Sequence, residues 1–257
     1  MTAVLEIPLT SLPTRSDAQA GWADVVDELA QSCRARAATG ALLDIPGAVG
    51  VLAGSAPVVW AHGDVDVETL LAHVSAAPSV VEINVRADDH AVTERLQRAG
   101  WHCASLTSQL VHTGAALSAV PPAGYTLQGL SRADLPAFRE LLASAGGASD
   151  ELIAACYGDD FFVRAAPAWL FGAFDEGGCL VGTVGTRIQT RSAMVFGLTV
   201  EGGHQRGGLA LALVNAAVRC GRNAGATFAH ASGEPGTSGL ALAAGFTRVG
   251  AWRRLER

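Results

Sequence analysis

The chain contains no lysine: all 18 of its basic residues are arginine. A nucleoside-triphosphate loop of the form GxxxxGK[ST] is thereby excluded, since its lysine has no candidate. The arginine bias, beside abundant alanine and glycine, reflects genomic base composition rather than function. Cysteine is sparse and scattered, at Cys33, Cys103, Cys156, Cys179 and Cys220, with no CxxC pair. That pattern supports neither a disulfide framework nor a zinc site, and reads as small buried hydrophobes in a reducing cytoplasm. Long apolar runs are also missing. The longest spans 209–214 and ends at Asn215, far short of the roughly 20 residues of a membrane span. The opening MTAVLEIPLT lacks the basic stretch and apolar core of a secretory signal. Positive charge is in deficit, with a formal net charge of −6. This argues against a nucleic-acid partner and is compatible with a cationic or amine substrate.

What is present divides into two periodic regions. The segment HTGAALSAVPPAG (112–124) is rich in small residues and ends in Pro-Pro, which reads as a linker over 115–123. The flanking regions, 1–114 and 124–257, are each long enough for a small domain with a core. The second region begins with a strand at 124–130. Ser131 is a candidate N-cap for a helix over 132–145 with Leu135, Phe138, Leu141 and Leu142 on its buried face. A further helical stretch runs from Ser149 to Tyr157. A hairpin turns at Glu176-Gly177-Gly178, and the strand SAMVFGLTV (192–200) follows. A helix over 208–222, stopped by Gly221 and Gly225, precedes the strand ATFAHAS, a short helix at 237–244 and a last strand.

The first region repeats this order in weaker form. A helix over 17–37 precedes three short strands, a helix at 66–76, the strand VVEINV, a helix at 89–98 and a strand pair within 102–112. LQRAGWHCASLTSQL (96–110) and LALAAGFTRVGAWRRL (240–255) each read as a helix ending in Ala-Gly-aromatic, then a strand. We read this as an internal duplication.

The most informative stretch is LTVEGGHQRGGLALALV (198–214), in which Gly202, Gly203, Gly207 and Gly208 surround His204-Gln205-Arg206 between a strand and an apolar helix. A strand, a glycine-rich loop and a helix start form an anion site. The first amides of the helix lack internal partners and carry the positive end of its dipole, and glycine lets a phosphate approach the backbone. The amides of Arg206, Gly207, Gly208, Leu209 and Ala210 converge on one such anion. A GxGxxG dinucleotide fingerprint is disfavoured, because this loop follows a late strand of a mixed sheet.

The pattern Gln205-x-x-Gly208-x-Ala210, preceded by Leu198-Thr199-Val200 and followed by Gly245-Phe246, resembles the pyrophosphate loop of the GNAT superfamily of N-acetyltransferases. The element order across 124–257 is similar to that family as well. The resemblance implies an α/β (α+β) chain of two GNAT-like domains, each a mixed, mostly antiparallel sheet flanked by helices. It implies binding of acetyl-CoA, with the diphosphate on residues 205–210 and the pantetheine arm along the Leu198–Val200 backbone. It also implies direct attack of an amine on the thioester, with a backbone N–H as oxyanion donor. Many family members place a tyrosine acid four residues before the Gly-Phe, and here that position is Ala241.

The remaining candidates are Glu201 and His230 for the base, and Ser238, one turn from Ala241, for the acid. His204 and Arg206 are candidate phosphate contacts. Asp159 and Asp160 are expected near the acceptor pocket, where they suit a cationic amine; each of these residues has an ordinary structural role as its alternative. In the first region the matching loop is HGDVDVETLL (62–71), whose acids favour the helix start but repel phosphate. The 1–114 copy is therefore expected to bind no coenzyme and to wall the acceptor site. Three readings stand at this point: a cytoplasmic N-acyltransferase acting on a small-molecule or peptide amine as a monomer or homodimer, an acyl-CoA-binding sensor or partner module, and a pseudoenzyme that binds nothing. No metal is expected.

Overall fold

A computed structural model describes residues 15–36, 41–53, 57–77, 81–114, 118–144, 153, 157–158, 161–163, 167–205, 207–233 and 238–257. The first half runs α1 (Arg15–Arg36), β1 (Leu42–Ile45), β2 (Ala48–Val51), β3 (Val58–Ala61), α2 (Val67–Ser75), β4 (Glu82–Arg86), α3 (His90–Arg98) and β5 (His102–His112). The second half runs β6 (Thr126–Gly129), α4 (Leu135–Ser144), β7 (Ala168–Phe174), β8 (Leu180–Ile188), β9 (Ser192–Val200), α5 (Leu209–Asn223), β10 (Phe228–Gly233), α6 (Ser238–Ala243) and β11 (Thr247–Glu256). Local chemistry sets these boundaries. The Ser131 hydroxyl accepts from the Ala133 amide, and Asp134 reaches back to the Ser131 amide, closing a capping box ahead of α4.

Among the described residues eleven strands form one sheet, in the order β1-β2-β3-β4-β11-β5-β10-β9-β8-β7-β6. Among these strands only β3–β4 and β9–β10 run parallel. The order is mirrored about its centre: β3-α2-β4 on one side corresponds to β9-α5-β10 on the other. The last strands are exchanged between halves, since β11 lies beside β4 while β5 lies beside β10, and the two pair antiparallel in the middle. The helix ends that looked alike in sequence are alike in detail. Gly100 and Gly245 have φ +91° and +88°, and the Trp101 and Phe246 amides each reach back to the carbonyl five residues earlier. This is the left-handed glycine stop.

Residues 102–112 form one strand rather than the expected pair. The segment HCASLTSQLVH holds no turn residue and bonds to β11 on one edge and β10 on the other. Gly221 lies inside α5 rather than ending it. A Cβ there would sit 2.3 Å from the Ala193 Cβ, so the glycine permits close packing of helix on sheet. The positive-φ stop is Gly225, at +96°. Most of the helical stretch expected over 149–157 lies outside the described residues; within it, the Tyr157 amide bonds the Ile153 carbonyl.

α1 and α4 pack on one face of the sheet, and α2, α3, α5 and α6 on the other. The Glu28 carboxylate of α1, 1% exposed, accepts the backbone amides of Thr190 and Arg191 at the β8–β9 turn. Trp22 of α1 stacks at 4.6 Å on Trp252 of β11. The segment between the halves is strapped along α5. Arg222 donates to the carbonyls of Thr113 and Gly114, and Asn215 Nδ2 to that of Ser118. Cover from both sheet and strap explains why α5 is apolar nearly all round.

Candidate active site

β9 and β10 pair only from Phe228↔Ser192 to His230↔Met194, then diverge. The gap opens into a cleft of about 600 Å³. Phe196, Leu198 and Val200 wall one side, and Ala231 and Ser232 the other. Ala210 and Val214 of α5 and Leu240 and Ala241 of α6 close it, and Leu110 of β5 brings a first-half residue into the wall. Beside the opening β9 carries a bulge. Thr183 faces Thr199 and Gly185 faces Phe196, so Gly197 and Leu198 together stand opposite Val184. An extra residue takes backbone groups out of the ladder and makes them available to other partners. The Gly197 carbonyl is taken by the buried Thr183 hydroxyl at 3.1 Å.

At the mouth lies the glycine-rich loop. Gly208 is the N-cap of α5 with φ +86° and no side-chain cap bond. Gly207 has φ +90°, and a Cβ built on either residue meets no atom within 4 Å. Both positions need glycine for their backbone angle, and both leave open space over the helix start. Among the described residues the first bond back into α5 runs from the Ala212 amide to the Gly208 carbonyl, as expected of a helix start whose earlier amides lack a helical partner. A diphosphate fits this arrangement: converging donors, the positive end of a 15-residue helix, and room for the ligand. Gln205 lines the cleft and donates from Nε2 to the Val200 carbonyl at 3.2 Å, tying the loop to the end of β9.

The other sequence candidates fall in different places. Glu201 is exposed at the end of β9, its Oε2 4.0 Å from His204 Nε2. Leu198, Thr199 and Val200 form the end of β9, and Leu209 starts α5. His230 is 3% exposed, bonds Gln189 Oε1 through Nε2 at 2.8 Å, and is not among the residues lining the cleft. Burial lowers its pKa to about 4, so it is neutral at physiological pH. Alternation on β10 puts it with Phe228 on the α1 face, away from α5, and this geometry gives it a packing role in place of the expected base. Ala241 does line the cleft, and its own side chain carries no hydroxyl. Ser238 begins α6. Asp159, Asp160 and Arg206 lie outside the described residues.

Three residues not singled out as site residues from sequence approach the site. The Tyr157 hydroxyl lies 3.5 Å from where a Cβ on Gly197 would be, with its ring stacked 6.0 Å from Phe196. Tyr125 bonds His204 across the loop, Oη to Nδ1 at 2.9 Å. Gln109 of β5, 2% exposed, accepts from the Ser232 hydroxyl and donates to the Ala231 carbonyl, steadying the far wall. Each pairing spans a sequence separation that carries no local signal.

The first-half counterpart differs. The N-cap of α2 is Asp66, whose carboxylate accepts from the amides of Glu68 and Thr69 and from the Thr69 hydroxyl. These bonds lower its pKa, the Thr69 hydroxyl contributing most. The start of α2 thus holds an anion of its own. Among the described residues no three His, Cys, Asp or Glu side chains cluster as metal ligands, and no helix is long and apolar enough to cross a membrane.

No curated protein matches the sequence. Residues 135–243 match the acetyltransferase (GNAT) family. A GCN5-related N-acetyltransferase from Kribbella flavida superposes with TM-score 0.67 at 18% identity, covering 90% of this chain and 94% of its own. One from Sphaerobacter thermophilus gives 0.64 at 16%, covering 96% of each. A tandem GNAT protein from the clavulanic acid biosynthesis pathway, determined without AcCoA, gives 0.57 at 14%, covering 96% and 97%. The family match over 135–243 thus sits on a fold that solved GNAT structures share along nearly the whole chain.

Proposed function

We propose that the second half, residues 124–257, moves an acetyl group from acetyl-CoA to an amine. The observation that carries this reading is the left-handed pair Gly207-Gly208 ahead of an uncapped α5, at the end of two diverging strands. Acetyl-CoA brings the acetyl group as a thioester. The amides of residues 206–210 hold its diphosphate, and the Leu198–Val200 backbone its pantetheine arm. Backbone freed at the Gly197–Leu198 bulge is suited to an oxyanion donor. The cleft positions the two reactants together. Glu201, at the end of β9 with His204 beside it, accepts the proton that the amine releases. His230 is closed off by Gln189 and takes no part. With alanine at 241, the Tyr157 hydroxyl beside Gly197 is the phenol placed to return a proton to the leaving thiolate. The first half binds no coenzyme, because Asp66 already fills the matching helix start.

The test is thiol release from acetyl-CoA with a panel of amines, run on the wild type and on Tyr157→Phe. We expect release with at least one amine, and a kcat at least tenfold lower in the variant at unchanged CoA affinity, as loss of a general acid implies. Absence of any CoA binding overturns the reading. One observation favours a second reading, an acyl-CoA sensor: Ala241 in the cleft wall. Stabilisation by CoA without thiol release from any amine assigns that role.

A further inference from the structure

We infer that the segment joining the two halves is part of the coenzyme site, with Tyr125 as a positioning residue that latches the phosphate loop through His204. The inference rests on the coenzyme reading above.

The loop from Glu201 to Gly208 contains Gly202, Gly203, Gly207 and Gly208, and a Cβ on any of them meets nothing within 4 Å. Such a backbone is held neither by its own torsional preference nor by packing at those glycines. Ordering it at the moment of binding weakens affinity, and ordering it beforehand does not. Among the described residues two side-chain hydrogen bonds hold it. One is Gln205 to the Val200 carbonyl at 3.2 Å, which ties the loop to its own strand. The other is Tyr125 to His204 at 2.9 Å, which ties it to the segment between the halves.

The second tie is backed by a chain of anchors. The strap starts at Thr113 and Gly114, clamped by Arg222 near the C-terminal end of α5. It is pinned midway by Asn215 to Ser118 and reaches the helix N-terminal end at Tyr125. Tyr125 is half-buried against the apolar cluster that includes Ala173, Val181 and Leu213, so packing fixes its phenol. Its ring meets the imidazole edge-on, centroids 5.7 Å apart at 84°. The Glu201 carboxylate faces His204 Nε2 at 4.0 Å. In the tautomer whose ring proton sits on Nε2, facing that carboxylate, Nδ1 accepts from the phenol. The first half, with no coenzyme of its own, thereby reaches the loop through its outgoing chain.

The experiment compares full-length wild type, Tyr125→Phe, His204→Phe and His204→Asn. Hydrogen exchange of residues 202–210 is followed without ligand, and CoA affinity by calorimetry. Tyr125→Phe and His204→Phe are expected to speed exchange in the loop and to weaken CoA binding about fivefold, the worth of one modest hydrogen bond. His204→Asn, whose amide oxygen still accepts from the phenol, is expected to recover most of both. Wild-type loop exchange and CoA affinity in Tyr125→Phe overturn the latch and leave the coenzyme reading standing. Equal weakening in His204→Asn and His204→Phe also overturns it, by making the effect one of ring packing. A wild type that binds no CoA removes the coenzyme reading, and the positioning role with it.

Discussion

Replacing Gly208 separates folding from ligand binding, because its two consequences have opposite signs. The residue has φ +86° and ψ 9°, and its missing side chain faces open space. Gly208→Ala meets no clash, so it costs only backbone strain, about 1–2 kcal/mol for an L-residue in a left-handed conformation. In a protein of this size that lowers the melting temperature by roughly 2–8 °C. Gly208→Glu carries the same strain, but a carboxylate at a helix start returns about 0.3–1 kcal/mol. The glutamate variant should therefore melt no lower than the alanine variant. Toward a diphosphate the order reverses. Two unit charges about 4 Å apart repel by about 1 kcal/mol in water and about 4 kcal/mol at an effective dielectric of 20. CoA should bind Gly208→Glu roughly fivefold to a thousandfold more weakly than Gly208→Ala. Added salt should narrow the gap. Calorimetry with CoA at fixed ionic strength, paired with thermal melts, reads both quantities. Equal CoA affinity in the two variants refutes a phosphate at this helix end.

Two further outcomes follow from the exchanged strands and the buried imidazole. A fragment of residues 118–257 leaves β11 with neither neighbour, since β4 and β5 are both gone. It should show no cooperative melt and no CoA binding until mixed with residues 1–114; a fragment that melts cooperatively and binds CoA alone contradicts this. For His230, burial pulls the pKa down from 6.5 to about 4, so the unfolded chain holds the extra proton between those values. Stability is full above about pH 6.5 and falls by about 1.4 kcal/mol per pH unit as the pH drops toward 4. Burial lowers the His112 pKa as well, which adds to the same limb. Urea melts at pH 7 and pH 5 should show a smaller loss for His230→Gln than for wild type, and an equal loss contradicts the assignment.

What the sequence made legible was local. The SAMVFGLTV strand, the Gly207-Gly208 turn and the α5 start lie within 18 consecutive residues, 192–209, and glycine at positive φ announces itself by type. Ala241, the position matched to the family's tyrosine by its fixed distance from the Gly245 stop, lines the cleft. His230 was misjudged because alternation along a strand gives two faces without saying which one a helix covers; the α1 contact with Phe228 decides it. The strand exchange was illegible for a different reason. Cross-strand pairing depends on side-chain fit across a sheet, and Trp252 beside Arg86 leaves no mark in either segment. The strap looked like a plain linker because its anchors, Arg222, Asn215 and His204, bind mostly backbone carbonyls, which have no residue type.

The central position of β11 also sets a timetable on the ribosome. Arg86 of β4 finds its neighbour in Trp252, about 165 residues later. At roughly 5–20 residues per second, nascent β4 and β5 wait about 8–30 s with bare edges before the strand that belongs between them is made. During that interval the inner edge of each is open to any extended segment nearby. Chaperone demand during synthesis should therefore be set by the delay before β11 emerges more than by the final stability of the fold.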